Sequence, residues 1–299
     1  MSRLVTDWPV SLVALVLIFA DIALMALRLS WLVRPQGLEM PYAKSLELTL
    51  VSSFFATFLP GAAGGDLPKL YYAAKNNRGR RAEIVTVVLF DRVIGLFSLL
   101  VLPLLFAPLF PGLLRDVPAL RLLLIVSAAF ATLALAGFLL CLLNRTLPDA
   151  IARFISLLVN RLGGRFLPAE NLPARILATI RAYRGHPVIL AGAFAASLLS
   201  NLSMIAVTAL AIELLYPGSL SLRMSLVIPM GDIANSLPLT PGGLGVGESA
   251  FNALFKLTGL QGGAEALLSW RIWRAVVGLA GLVLYLRGPR RSVFQSENL

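Results

Sequence analysis

Five apolar segments, each long enough to cross the hydrocarbon core of a membrane, constrain the fold of this chain more than any other feature. They lie near residues 10–33, 84–110, 119–143, 187–215 and 264–286, and a helix needs about 20 residues to span a bilayer. Of the 299 residues, 58% are hydrophobic and only 14% are charged, whereas a soluble domain averages about 25% charged residues. The pattern predicts an all-α polytopic membrane protein without a soluble domain of ordinary size.

Three further apolar segments are shorter, and each abuts a cluster of glycines and prolines. They lie near 42–59, 222–239 and 244–259. Together with the long segments they give about eight membrane segments, some of them broken or re-entrant. The weakly apolar stretch 144–186 has apolar residues at helical spacing opposite basic ones, which is typical of an amphipathic linker at the membrane surface.

The basic residues indicate how the chain is oriented. Lys and Arg number 26 against 15 Asp and Glu, for a net charge of +11, and the excess is concentrated at 69–81, 144–186 and after residue 286. Short loops rich in Lys and Arg stay in the cytoplasm, so these regions, and with them the C-terminus, are predicted to be cytoplasmic. Because topology and anionic lipid account for the excess, no nucleic-acid partner is predicted.

The side on which the N-terminus lies depends on the segment after the first span. If 42–59 crosses the membrane fully, the N-terminus is inside. If 42–75 dips into the membrane and returns to the same side, the N-terminus is outside. We prefer the full crossing, and we interpret the first apolar segment as a retained span because no small-residue cleavage site follows it.

Two elements are predicted to break a helix at membrane depth. Each has an apolar run, then Pro-Gly, then clustered glycines, then one carboxylate. Proline removes a backbone donor and glycine permits positive φ, and broken backbone at membrane depth is tolerated only when it is buried in protein or lines a polar cavity. The break residues are Pro60, Gly61, Gly64, Gly65, Pro241, Gly242, Gly243 and Gly245.

The similarity of the two elements extends along the chain and indicates an internal repeat. Asp66 is followed 26 positions later by Arg92, and Glu248 is followed 26 positions later by Arg274. We therefore predict two inverted-topology repeats, about 10–110 and 187–287, separated by the extra span 119–143 and the linker 144–186. In transporters with this plan, interrupted segments at matching positions mark the substrate site.

Charged and amide side chains near the breaks, and on the spans that follow them, are the candidate binding residues. Such groups inside a span are costly unless they are paired or hydrated, so each is a candidate for function. Arginine suits carboxylate and phosphate equally well, which favours a phosphate-bearing or zwitterionic lipid headgroup as the ligand. The candidates are Asp66, Lys69, Asp91, Arg92, Asn235, Glu248, Arg271 and Arg274.

Buried structural ion pairs are the alternative interpretation of the second half of this set. Arg271 and Arg274 share a helix face and can pair with Glu248 or Asp232. Asn235 can either satisfy backbone groups freed by the break or bind a ligand.

The first half of the set has its own alternatives. Arg92 is expected to pair with Asp66 or with a lipid phosphate, and Asp66 also fits the N-cap of a helix. Asp21 and Arg28 lie seven residues apart on the first span and are interpreted as structural.

Cofactor, metal and enzyme chemistry have no support in the sequence. The chain has one cysteine, Cys141, and one histidine, His186, so neither a Cys/His metal cluster nor a Cys–His nucleophile pair is expected. We find no nucleotide-binding, metalloprotease or nucleophile-elbow motif. We therefore expect no cofactor, no metal and no enzymatic activity, and any transport would run down a gradient or be coupled to ions.

Three stretches resemble a known family. They are Phe-Leu-Pro-Gly-Ala-Ala-Gly-Gly-Asp-Leu-Pro-Lys at 58–69, Phe-Asp-Arg-Val-Ile-Gly at 90–95 and Pro-Leu-Thr-Pro-Gly-Gly-Leu-Gly-Val-Gly-Glu at 238–248. They are similar to the transmembrane region of lysylphosphatidylglycerol synthases, also called the flippase-like domain, and the resemblance covers roughly 10–288. In bifunctional members this region precedes a soluble aminoacyl-transferase domain and is associated with moving aminoacylated lipid across the inner membrane.

The resemblance implies a single flippase-like domain over 1–299, acting as a stand-alone lipid translocator of the bacterial inner membrane. The family often has Asn and Arg where this chain has Ser53 and Lys69, so the aminoacyl-lipid substrate is not carried over by name. The expected partners are membrane lipids, either phospholipid or glycolipid. A lipid-modifying enzyme and a second copy of the chain stay open as further partners.

Two alternative functions remain beside the translocator. One is an accessory membrane protein that binds lipid or a lipid-modifying enzyme without transporting anything. The other is an intramembrane enzyme that uses Asp66, Asp91 or Glu248 as acid or base.

Overall fold

The computed structural model describes residues 7–58, 65, 68–69, 81–143, 181–236, 240, 243–287 and 295–296. Short 3-10 turns lie at Arg34–Gln36, Ala107–Leu109 and Tyr183–Gly185, and the two-residue strands β1 (Leu38–Glu39) and β2 (Gln295–Ser296) pair antiparallel. The α-helices of the described ranges are α1 (Trp8–Leu32), α2 (Tyr42–Phe58), α3 (Arg81–Phe106), α4 (Pro111–Asp116), α5 (Pro118–Leu143), α6 (Pro187–Leu215), α7 (Met224–Asn235), α8 (Val246–Leu257) and α9 (Gly263–Leu286).

The predicted all-α membrane architecture is confirmed, and each of the eight apolar segments corresponds to one helix. The five long segments form α1, α3, α5, α6 and α9, which are long and apolar enough to cross a membrane. Their outer faces are apolar, as a lipid-facing surface requires; Leu133 on α5, for example, is 69% exposed. The predicted linker 144–186 lies outside the described residues except for its last six.

The antiparallel pair α1 and α6 forms the most extensive helix contact of the described chain. The backbone carbonyl of Leu17 accepts a hydrogen bond from the hydroxyl of Ser203 at 2.8 Å. Fourteen residues further along α1, Trp31 lies against Gly192, where a Cβ would come within 2.9 Å of the indole ring. The absence of a side chain at residue 192 therefore sets how closely these helices approach.

The helices of the two predicted repeats pair across the repeats. In the first half α2 packs on α9, and in the second half α7 packs on α3. The first contact is close, because an added Cβ at Gly281 would collide with the backbone carbonyl of Leu50, and one at Gly278 would lie 3.4 Å from the Cα of Phe54. Each short helix is thus supported by the last span of the opposite half.

The pair α7 and α8 is a re-entrant hairpin. The guanidinium of Arg223, just before α7, donates a hydrogen bond to the carbonyl of Thr258, just after α8, at 3.0 Å. Along the hairpin, Gly231 packs against the ring of Phe251, where an added Cβ would lie 2.7 Å away. Because the start of α7 lies beside the end of α8, the chain enters from one end of the molecule and returns to the same end.

The segment from α2 to α3 also begins and ends at one end of the molecule, which corrects our preference for a full crossing by 42–59. Leu38, before α2, and Ile84, at the start of α3, belong to one buried apolar cluster with Tyr183. The hydroxyl of Tyr183 donates to the carbonyl of Leu32 at 2.6 Å. The preference was wrong because 17 helical residues span about 25 Å, a length that suits a half-crossing and a tilted full crossing alike.

We call the end that carries Leu32, Arg81 and Pro187 the basic end, because the basic regions 69–81 and 144–186 lead into it. In the described chain, α1 runs towards this end and its first residues lie at the opposite end with the last residues of α6. That the basic end faces the cytoplasm stays a prediction from the charge distribution.

Cysteine labelling tests this arrangement directly. In a Cys141→Ser background, a membrane-impermeant maleimide should label the exposed positions Arg34→Cys and Arg184→Cys from one side of the membrane. It should label Leu222→Cys, at a residue 81% exposed before α7, from the other side. Labelling of Arg34→Cys from the same side as Leu222→Cys would restore the full crossing of 42–59.

The α2–α9 contact predicts a difference between two glycines of transmembrane helices. Gly281→Ala should destabilise the protein by about 1–3 kcal/mol, since forced overpacking displaces backbone. Gly137→Ala on α5, where an added Cβ meets nothing within 4 Å, should be neutral or slightly stabilising. Thermal unfolding in mild detergent measures both variants, and equal melting temperatures would refute the close contact.

Candidate functional site

A partly open cavity of about 580 Å³ lies between α1, α3, α6 and α9, where both short-helix elements reach it. From the first half, Ala56, Thr57 and Lys69 line it, and from the second half, residues of the α7–α8 connection do. Asp232 is eight residues into α7, or about 12 Å along the helix, which places the cavity at membrane depth. Its charged lining residues within the described chain are Asp21, Arg28, Lys69, Asp91, Arg92, Asp232, Arg271 and Arg274.

Asp91 of α3 is the centre of one buried charge cluster. Its Oδ1 accepts a hydrogen bond from Nε of Arg28 at 2.6 Å, and its Oδ2 lies 3.8 Å from Nζ of Lys69. The side chains of all three are at most 5% exposed. An Nη1 hydrogen of Arg28 goes to the hydroxyl of Ser197 at 2.8 Å, so α1, α3 and α6 meet at this point.

Glycine makes room for this cluster. An added Cβ at Gly95, one turn after Asp91, would lie 3.0 Å from Nη1 of Arg28. The guanidinium therefore lies close to the backbone of α3 at Gly95, and a larger residue at this position would push Arg28 away from Asp91.

Asp21 of α1 belongs to a second cluster. Its Oδ2 accepts from Nη1 of Arg274 at 2.9 Å, and its Oδ1 accepts from the hydroxyl of Ser200. The guanidinium of Arg274 also lies over the ring of Trp270, 5.0 Å from the centroid, a cation–π arrangement. These contacts join α1, α6 and α9.

Glycine conformation shapes the connection between α7, which ends at Asn235, and α8, which begins at Val246. Gly243 and Gly245 have φ of 71° and 82°, and Gly245 caps the start of α8. Its N–H donates to Oε2 of Glu248 at 2.7 Å, so this carboxylate closes the new helix start as an acidic residue in a first turn does. Pro241 and Gly242 lie outside the described residues.

Glu248 and Asn235 together orient Arg271. Nε of Arg271 lies 3.1 Å from Oε1 of Glu248, and Nη2 donates to Oδ1 of Asn235 at 2.8 Å. The amide of Asn235 in turn donates to Oδ1 of Asp232 at 3.0 Å. An added Cβ at Gly243 would lie 2.5 Å from Oδ1 of Asn235, so glycine at this position allows the amide to lie against the break.

The structure brings most of the predicted binding residues to the cavity. Among the candidates, Lys69, Asp91, Arg92, Asn235, Arg271 and Arg274 line it, and Glu248 lies behind the lining as the partner of Arg271. Asp66 lies outside the described residues, as do Pro60, Gly61 and Gly64. Gly65 is buried against α2, where an added Cβ would come within 2.8 Å of Cβ of Ala56.

Asp21 and Arg28 line the cavity although the sequence did not place them among the candidate binding residues. Each makes an ion pair with a different helix, which is a structural role, and their place in the cavity lining was not predicted. Their spacing of two helical turns places them on one face of α1, which was the available signal. In the described ranges, no three His, Cys, Asp or Glu side chains are grouped so as to hold a metal ion.

These features define a class of protein: an all-α polytopic membrane protein in which short helices from two halves of the chain reach a charged internal cavity. The chain belongs to the family described as the lysylphosphatidylglycerol synthase TM region, whose model matches residues 3–284. No curated protein and no solved structure matches the chain. The family identifies a membrane protein related to lipid handling.

The cluster around Asp91 predicts an asymmetry between two substitutions. Asp91→Asn deprives both Arg28 and Lys69 of the carboxylate that they contact, whereas Arg28→Met leaves Asp91 beside Lys69. Breaking a buried pair costs about 3–5 kcal/mol, so Asp91→Asn should approach this range and Arg28→Met should cost less. Unfolding in mild detergent measures both.

Asp116→Asn is the matched control, because it makes the same chemical change at an exposed position of α4. It should leave stability within about 0.5 kcal/mol of the parent. If Asp91→Asn behaves like Asp116→Asn, the buried cluster does not stabilise the fold.

Proposed function

We propose that this chain is a flippase-like lipid translocator that carries a polar or charged lipid headgroup through the cavity. The observation that carries the proposal is the convergence of short helices from both halves on one charged cavity of about 580 Å³. Ligand sites commonly occupy about 300–1,000 Å³. A headgroup that enters there replaces part of its hydration with protein groups, which lowers the barrier that the hydrocarbon imposes on it.

The chemistry of the cavity favours a headgroup that contains a phosphate. Arg92, Arg271 and Arg274 present guanidinium groups on α3 and α9, and a planar guanidinium can bind phosphate with two hydrogen bonds. Apolar side chains, among them Leu96 and Met204, complete the lining and suit the glycerol and acyl part of a lipid.

The arrangement of the helices supports transport more than static binding. The α7–α8 hairpin enters from one end of the molecule and α2 enters from the basic end, so different elements reach the cavity from the two ends. The antiparallel pairing of α1 with α6, and the exchanged pairings of α2 with α9 and α7 with α3, are what two inverted repeats would produce. Rocking of one repeat against the other gives alternating access.

Reconstitution in liposomes with fluorescent phospholipids tests the proposal. The wild-type protein should accelerate exchange between leaflets, and Arg92→Ala and Glu248→Gln should each reduce the rate roughly tenfold or more, since a hydrogen bond to a charged group contributes about 1.5–3 kcal/mol. Arg121→Ala, at an exposed position of α5, is the control and should keep the wild-type rate.

Two results would change the assignment. If Arg92→Ala and Glu248→Gln both translocate at the wild-type rate, the cavity is not the path. If the wild-type protein translocates nothing but co-purifies with a glycosyl- or acyl-transferase, the accessory role replaces the translocator.

A further inference from the structure

Among the cavity acids of the described chain, Asp232 is the one without a Lys or Arg nitrogen at ion-pair distance. Asp21 pairs with Arg274, Asp91 pairs with Arg28 and Lys69, and Glu248 behind the lining pairs with Arg271. The side chain of Asp232 accepts one hydrogen bond, from the amide of Asn235, and within the described chain no Lys or Arg nitrogen lies within 4 Å of it. Its second carboxyl oxygen is left to the cavity.

Asn235 keeps Asp232 apart from Arg271, the guanidinium beside it. Arg271 only donates hydrogen bonds, so it must face the amide oxygen of Asn235, and the amide nitrogen must then face Asp232. The amide is confined by Gly243 and Gly247, where an added Cβ would collide with its oxygen. The side chain of Asn235 is thus held as a spacer between the acid and the base.

Most of the other charged side chains near Asp232 form ion pairs or hydrogen bonds with residues other than Asp232. On α9, Arg274 is held by Asp21 and Trp270. On α8, Glu248 is held by Arg271 and the N–H of Gly245. On α3, which packs along α7, Asp91 is held by Arg28, and Arg92 lines the same cavity.

We propose that Asp232 is a proton-binding site that couples translocation of the lipid headgroup to a proton gradient; this inference rests on the proposed function. An ionised carboxylate without a counter-ion is costly at membrane depth, and uptake of a proton removes the charge. The step converts a carboxylate and a proton into a carboxylic acid whose hydroxyl points into the cavity. Among the cavity acids of the described chain, it is the one that can change charge without breaking an ion pair.

Protonation of Asp232 also changes the charge that a headgroup meets. It removes one negative charge from a cavity that holds Arg271 and Arg274, so an anionic headgroup binds more tightly to the protonated form. By thermodynamic reciprocity, the bound headgroup raises the affinity for the proton by the same factor. Proton and anionic lipid are therefore expected to move in the same direction.

Proteoliposomes that contain fluorescent phosphatidylglycerol, with and without an imposed pH gradient, test the coupling. The wild-type rate should change roughly fivefold or more when the gradient is imposed, in line with the usual size of coupling between two sites. The rate of Asp232→Asn should not respond to the gradient. Asp116→Asn, the same substitution at an exposed residue of α4, should respond as the wild type does.

A second measurement does not depend on the folding of a variant. Addition of short-chain phosphatidylglycerol to the detergent-solubilised wild-type protein should cause proton uptake, recorded with a pH-indicator dye.

Asp232→Glu, which keeps the carboxyl group, should retain both the uptake and the response to the gradient.

The possible failures are distinguishable. If the wild type translocates lipid at a rate that ignores the pH gradient, or that follows a sodium gradient instead, the proton site is refuted and the translocator stands. Absence of proton uptake on lipid addition likewise refutes the proton site. If the wild type translocates no lipid under any gradient, the proposed function fails and the coupling fails with it.

Discussion

The architecture depends on the pairing of charges that a single helix carries into the membrane. Asp21 and Arg28 lie two turns apart on one face of α1, and each is satisfied by the last span of a different half of the chain: Arg28 by Asp91 of α3, and Asp21 by Arg274 of α9. A charge left unpaired in hydrocarbon is so costly that these contacts fix the relative position of the three helices. The cavity exists because α1, α3 and α9 are held at the distances that these side chains span.

The exchanged packing of the short helices has a mechanical consequence. Because α2 rests on α9, and α7 rests on α3, neither half can bury its own interrupted helix without the other. A shift of α9 would move the support of α2 and, through Arg271, the tip of the α7–α8 hairpin as well. Packed contacts therefore connect the elements that reach the cavity from its two ends, and under the proposed function they would couple the motions of these elements.

The sequence predicted what depends on local pattern. Hydropathy located eight of the nine described helices and missed the six-residue α4. The long segments were the clearest, since about 20 apolar residues have few alternatives to a helix in a bilayer. The glycines near residue 243 indicated the break. Glu248 and Asp232 were the acids expected to pair with Arg271 and Arg274; this is right for Arg271, which pairs with Glu248, and wrong for Arg274, which pairs with Asp21 of α1. The roles of Asp21 and Arg28 could not be predicted, because their partners are 253 and 63 positions away in the chain and spacing on one helix says nothing about which helix lies opposite. The predicted path of α2 was wrong for a similar reason. Its direction depends on the buried contacts of Leu38 and Tyr183, and the length of the helix does not reveal those contacts.

The two interrupted elements are alike in pattern but differ in the side chains at their tips. The offset in numbering that carries Asp66 to Glu248 and Arg92 to Arg274 also carries Ser53 to Asn235. Asn235 uses both ends of its amide, one towards Arg271 and one towards Asp232. A serine at the matching place is too short to separate an acid from a base in this way, and in α2 the carbonyl of Ser53 instead accepts the hydroxyl of Thr57 within the helix. Within the described residues, the acid–amide–arginine arrangement therefore belongs to the element that enters from the end opposite the basic one. If Asp232 binds the proton as proposed, the charge change takes place on the α7–α8 element, and proton binding there would give the cavity a direction.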